Sequence, residues 1–210
     1  MKIVFIGDSF TRGFGVRRNE SWFSLLESKT KKTLVNKGIN GDTTSGMLAR
    51  LHRDGELEKP DYIFIEGGVN DFIAGSECGI PQNNYMAMVH QAYHAGMIPV
   101  LVTAPPISPS EVRDNWLGMA DYSEVFRKYE ILREFLLKMS STFGVYCMDL
   151  YKDFSEMAAR DQGTAWYIDG IHLSPAGHEY IAGRVGEYLC GLGPSVFLSL
   201  IHISEPTRRP

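Results

Sequence analysis

Five short, almost wholly apolar runs recur along the chain, at residues 2–6, 34–36, 62–66, 98–103 and 145–149. Ile3-Val4-Phe5-Ile6 and Tyr62-Ile63-Phe64-Ile65 have no charged residue to turn toward water. A strand with one solvated face alternates apolar and polar residues, so a continuous apolar run predicts a strand covered on both faces. Between the runs lie stretches of helical spacing. Residues 21–30 carry Trp22, Phe23, Leu25 and Leu26, and residues 44–53 carry Met47, Leu48 and Leu51. Residues 83–95 carry Tyr85, Met86, Val89 and Tyr93, and residues 123–143 carry Phe126, Leu132, Phe135, Leu136 and Met139. A last helix opens at Ser174, a hydroxyl suited to the N-cap, with Pro175 at the first helical position. Its apolar face is Ile181, Val185, Tyr188 and Leu189. Strand–helix alternation of this kind predicts a parallel sheet between two helical layers. The expected fold is therefore an α/β/α three-layer sandwich on a five-stranded parallel sheet. Five strands suggest a flavodoxin-like arrangement, although sequence alone does not set the strand order.

At 210 residues one domain is the default, and 44% hydrophobic with 22% charged residues is ordinary for a globular chain. The formal charge of −4 gives no basic excess to hold nucleic acid, and no apolar run approaches the ~20 residues of a membrane-spanning helix. Met1-Lys2 leads straight into the first strand run, which is too short for the apolar part of a secretory signal. Cys78, Cys147 and Cys190 are odd in number and widely spaced, as reduced thiols would be. A cytoplasmic location is the expectation, and the oligomeric state is left open. One irregular segment, residues 104–122 with Pro105, Pro106 and Pro109, is long for a compact domain and so a candidate functional loop.

In open parallel sheets ligands bind beyond the carboxyl ends of the strands. There the sequence places Gly7-Asp8-Ser9-Phe10 after the first strand, Asn40-Gly41-Asp42-Thr43 after the second and Gly68-Val69-Asn70-Asp71 after the third. Asp169-Gly170-Ile171-His172 precedes the last helix. A serine hydroxyl needs a base to take its proton, and that base is usually a histidine oriented by a carboxylate. Asp169 and His172 are close enough for one turn to present both. An oxyanion needs preorganised donors, and the amides of Ser9 and Gly41 with the Asn70 side chain are of the right type. No G-x-S-x-G elbow occurs, which argues against an ordinary α/β-hydrolase.

These four blocks, in this order, resemble those of the SGNH (GDSL-type) esterases and lipases. Phe10 stands where that family often has Leu, and Leu173 where many members have Pro. The resemblance covers residue 1 to about residue 190. It implies a hydrolase with Ser9 as nucleophile, His172 as base, Asp169 orienting it, and an oxyanion hole from Ser9, Gly41 and Asn70. It implies no cofactor and no metal, and a small acyl ester, thioesters included, as substrate. The alternative from another class is a non-catalytic flavodoxin-like module for a nucleotide or phosphate, which would not need Asp169 and His172.

The remaining polar residues have plainer readings. Asp8 is expected to bond the backbone around the nucleophile turn, and Asp71 to cap the residues after Asn70. His178 is expected to pack. His90 and His94, four apart with no third ligand evident, read as a solvated or core-edge pair rather than a metal site. Trp116, Leu117 and Met119 offer apolar surface to wall an acyl pocket, which predicts a preference for short acyl groups. The domain is expected to span residues 1–197. Residues 198–210 resemble the translated end of a sequencing adapter, so they are set aside as non-native and His202 is not a site candidate.

Overall fold

Strands β1 (Lys2–Gly7), β2 (Thr33–Gly38), β3 (Tyr62–Glu66), β4 (Ile98–Thr103) and β5 (Tyr146–Asp149) pair in the order β2-β1-β3-β4-β5, all parallel. The computed structural model describes residues 1–113, 116 and 118–193. Leu117, His202, the domain limit at 197 and the tail 198–210 lie outside those residues. The uninterrupted apolar runs became the inner strands: β3 is buried throughout, and β1 and β4 from their second residues onward. The edge strands keep polar or exposed positions, such as Asn36 and Lys37 on β2 and Tyr146 on β5.

Side-chain alternation along the strands divides the core into two layers. Val4, Ile6, Ile63 and Ile65 pack with Met47, Leu51, Met88, Leu132 and Leu136. That layer is covered by α3 (Thr44–Asp54), α5 (Gly79–His94) and α6 (Tyr122–Phe143). Ile3, Phe5, Tyr62 and Phe64 pack on the opposite face with Trp22, Leu26, Phe154, Ile181 and Val185. Those come from α2 (Trp22–Glu27), α7 (Leu150–Arg160) and α8 (Pro175–Gly191). Phe5 meets Trp22 edge-on with ring centres 5.3 Å apart, and cutting such a buried phenyl to Ala costs about 3–5 kcal/mol.

Two helices depart from the sequence expectation. α5 starts at Gly79 rather than 83, because Pro81 falls in its first turn, where a missing N–H costs nothing. α7 was not foreseen. It starts directly from β5, where the Asp149 side chain accepts from Lys152 N, so no loop announces it. Short turns of helix, α1 (Ser9–Arg12) and α4 (Val69–Ile73), follow β1 and β3. Among the described residues of 104–121 there is one 3₁₀ turn, Pro109–Glu111. Among the described residues no helix is long and apolar enough to cross a membrane. The chain leaves β1 for β2 on one side, then crosses to β3 on the other. The β1/β3 junction is thus the topological switch point where a crevice opens.

Candidate active site

At the switch point Ser9 occupies the first position of α1, immediately after β1. Asp8 makes that turn: its Oδ1 accepts from Phe10 N at 2.9 Å, leaving the Ser9 hydroxyl at the rim. Opposite lies the loop between α7 and α8. An isolated bridge between Tyr167 and Leu173 pinches its ends, with Ile168 N donating to the His172 carbonyl at 2.9 Å. Inside that loop Asp169 Oδ1 accepts from Ile171 N at 3.0 Å and His172 N at 2.7 Å. These bonds fix the carboxyl so that Oδ2 meets His172 Nδ1 at 2.8 Å. His172 Nε2 lies 3.2 Å from Ser9 Oγ. With the Nδ1 proton directed at the carboxylate, Nε2 is left as a hydrogen-bond acceptor facing the Ser9 hydroxyl.

Pro106 and Ser108 clamp this loop from outside. Ser108 N donates to the Gly170 carbonyl at 2.7 Å, and Tyr167 Oη donates to the Pro106 carbonyl. Gly170 sits at φ +81°, and a Cβ there would fall 2.5 Å from Val112 N, so the close approach needs glycine. Trp116 has a different place from the one expected. Its indole Nε1 donates to Asp169 Oδ2 at 2.9 Å and its ring centre lies 5.7 Å from that of His172, so it braces the carboxylate rather than lining the cleft. On another side the Phe14 ring lies 4.5 Å from the imidazole. Leu117 is outside the described residues, and Met119 is exposed.

The expected oxyanion donors sit on neighbouring turns, for Asn70 bonds Asp8 beside Ser9 and Asp42 beside Gly41. The Ser9 amide is at a helix start, where N–H groups have no intrahelical acceptor. Gly41 follows β2 at φ +74°, and among the described residues its N–H has no acceptor. Asn70 Nδ2 donates to Asp8 Oδ2 at 3.1 Å and to the Asp42 carbonyl at 3.0 Å, so both amide protons are engaged. The turn carrying Gly41 is held by Arg50, which sequence reading missed. Buried on α3, Arg50 bonds Asp42 Oδ2 (2.7 Å), the Lys37 carbonyl (2.7 Å), Asp54 Oδ2 (3.0 Å) and the Gly7 carbonyl (3.0 Å). Asp71 does not cap the segment after Asn70: its carboxyl accepts from Thr44 N at 2.9 Å and Thr44 Oγ at 2.6 Å, joining α4 to the start of α3. The short α4 leaves that carboxyl free to reach the N-terminal donors of a neighbouring helix instead.

Electrostatics separate the ionisable groups. Burial pushes the Asp169 carboxyl up, but hydrogen bonds from the His172 ring and from the His172 and Ile171 amides outweigh it and hold it well below the usual carboxylate range. Burial pushes His178 down to about 4. Its Nδ1 accepts from Trp22 N at 3.3 Å, so it stands as a neutral packed ring. His90 and His94 are exposed on α5. Glu66, the last residue of β3, was also unforeseen; it lies 2% exposed beneath the Ser9 turn, where it accepts the Thr11 hydroxyl. A charged residue ending a run otherwise apolar and buried on both faces was the available signal.

Ser9, Asn70, His172 and Glu66 line one open cleft with about 510 Å³ of empty volume. Its apolar walls include Phe10, Phe14, Val69, Ile107 and Ile171.

The sequence matches the GDSL-like lipase/acylhydrolase family over residues 5–180. It is 26% identical over 196 residues to an arylesterase of Vibrio mimicus, covering 90% of this chain and 88% of that protein. It is 28% identical over 131 residues to thioesterase 1/protease 1/lysophospholipase L1 of Escherichia coli K12, covering 61% of this chain and 63% of that one. An acetylxylan esterase from Geobacillus stearothermophilus, solved as a catalytic mutant, superposes with a TM-score of 0.72 at 19% identity. That match covers 91% of this chain and 94% of the other.

Proposed function

Because the chain belongs to the GDSL-like lipase/acylhydrolase family and is a carboxylic ester hydrolase, we propose that it works through an acyl-enzyme on Ser9. The observation that carries this reading is the continuous relay from Ser9 Oγ through His172 to the low-pKa Asp169 carboxylate. Ser9 Oγ attacks the acyl carbonyl as its proton passes to His172 Nε2, and the same proton is returned to the departing alkoxide or thiolate. Water, deprotonated by His172, then attacks the acyl-serine; collapse of that intermediate restores the serine hydroxyl and releases the acid. The ionised Asp169 stabilises the imidazolium formed in each half-reaction. The Ser9 and Gly41 amides receive the tetrahedral oxyanion. Asn70 joins them by sharing one N–H already directed at Asp8 or Asp42.

A small acyl ester, oxygen or thioester, is the proposed substrate. The buried polar side chains of Asp8, Glu66 and His178 share the cleft lining with its apolar residues, which suits an acetyl or butyryl group better than a long chain. A fluorophosphonate probe tests the nucleophile. Peptide mapping is expected to find the adduct on Ser9, and Ser9→Ala is expected to abolish both labelling and most turnover. Labelling at another serine, or wild-type turnover in Ser9→Ala, refutes the reading.

A further inference from the structure

Beneath the nucleophile turn two carboxyls are buried together: Asp8, 3% exposed, and Glu66, 2% exposed. Their hydrogen bonding is unequal. Asp8 accepts two N–H bonds, from Phe10 N at 2.9 Å and Asn70 Nδ2 at 3.1 Å, and it faces His172. Glu66 Oε2 accepts the Thr11 hydroxyl at 2.7 Å, with the Asp8 and Thr11 amides facing the carboxyl outside good hydrogen-bond geometry, while Oε1 is buried without a partner among the described residues. The titratable groups facing Glu66 are Asp8 and the buried phenols Tyr85 on α5 and Tyr129 on α6. Asp42, Asp71 and His172 face Asp8. Two carboxylates so placed cannot both ionise out of water. The charge settles where N–H donors stabilise it, and an unpartnered oxygen is far less costly on a neutral acid than on an anion.

We propose that Glu66 is a positioning residue: it keeps the one proton of this buried acid pair, leaving Asp8 ionised to hold the Asn70 side-chain amide in the cleft it shares with Ser9. Glu66 thus acts on the reaction through Asp8 and Asn70. Burial raises both carboxyls, Asp8 to about 6 and Glu66 well above the ordinary glutamate value, which orders the pair in the same sense. The inference rests on the Ser9 reading for its catalytic consequence, but the protonation state of Glu66 is measurable without turnover.

The decisive measurement is the infrared difference spectrum between wild type and Glu66→Gln at neutral pH. A protonated-carboxyl band is expected in the wild type and lost in the variant. Steady-state kinetics supply the second arm. Glu66→Leu, close in size but unable to bond Thr11, is expected to lower kcat at least tenfold with KM within about twofold, because Asn70 acts on the transition state. Glu66→Gln, permanently neutral and able to bond Thr11, is expected to recover most of that loss. The proposal is overturned by absence of the band, by Glu66→Gln as impaired as Glu66→Leu, or by Glu66→Leu with wild-type kcat. If Glu66→Leu does not fold, the band and Glu66→Gln still decide. Failure of the Ser9 reading would show separately, as misplaced fluorophosphonate labelling of the wild type.

Discussion

Replacing Asp169 by Asn separates the charge of that side chain from its shape. The carboxylate accepts four hydrogen bonds: Ile171 N and His172 N on Oδ1, His172 Nδ1 and Trp116 Nε1 on Oδ2. An amide has one oxygen, and the two backbone N–H groups claim it, so the NH₂ turns toward the imidazole and the indole. His172 can answer by moving its proton to Nε2, leaving Nδ1 to accept. It then presents an N–H to Ser9 and cannot take the serine proton. In a serine protease the equivalent isosteric change costs roughly 10⁴ in kcat, and a loss of that order is expected here at neutral pH. Trp116 has no second tautomer. Its N–H is left facing a donor, which costs about 1–3 kcal/mol of stability. Trp116→Phe introduced beside Asp169→Asn should therefore restore about 1 kcal/mol or more without restoring activity. Initial rates on a p-nitrophenyl acyl ester and urea unfolding of the four proteins of the cycle measure both terms. Asp169→Asn with more than a tenth of wild-type kcat would refute the tautomer argument. Equal effects of Trp116→Phe in the two backgrounds would refute the bracing role of the indole.

Four further outcomes are expected. Asn70→Ala should lower kcat by about 10²–10³ with little change in KM, the usual cost of losing an oxyanion donor, and a change confined to KM would place Asn70 in ground-state binding. Arg50→Met strands Asp42, while Asp54 keeps its ion pair with Arg53, and should destabilise the fold by about 3–5 kcal/mol in denaturant melts, with kcat falling as the Gly41 turn loosens. Acid unfolding should show His178: its folded pKa of about 4 lies below its unfolded value of 6.5, so the unfolded chain binds more protons between them. Stability is then full above the unfolded value and falls, by up to about 3 kcal/mol, as pH drops toward the folded one. Asp8, raised to about 6, works in the opposite sense over an overlapping window, so the diagnostic is a flatter pH slope in His178→Asn, whose Oδ1 can still accept from Trp22 N. Finally, kcat/KM should fall from acetyl and butyryl to palmitoyl esters, and a steady rise to palmitoyl would point instead to a long-chain lipase.

The local code was strong wherever a single element carries the information. Unbroken apolar runs gave away the inner strands, since only a doubly covered strand can afford no polar face. Ser174-Pro175 placed the start of α8 to the residue. The three strand-end blocks and the Asp169–His172 block before α8 carried the family, because small and polar residues just past a buried strand or helix have few structural reasons to be there. Sequence could not order the strands: each run would pair with any other, and only the packing of helices on both faces selects β2-β1-β3-β4-β5. Nor could it find groups whose roles depend on partners far along the chain. Trp116 reads as apolar surface until the fold brings its N–H to Asp169, 53 residues away. Arg50 shows no role in the sequence until two carboxylates and two strand carbonyls close around it. Glu66 differs, for its charge at the end of a buried run was visible from the start. Its neighbour Asp8, 58 positions earlier, became visible only when β1 and β3 paired, because burial and proximity, which decide where a proton resides, are properties of the assembled core.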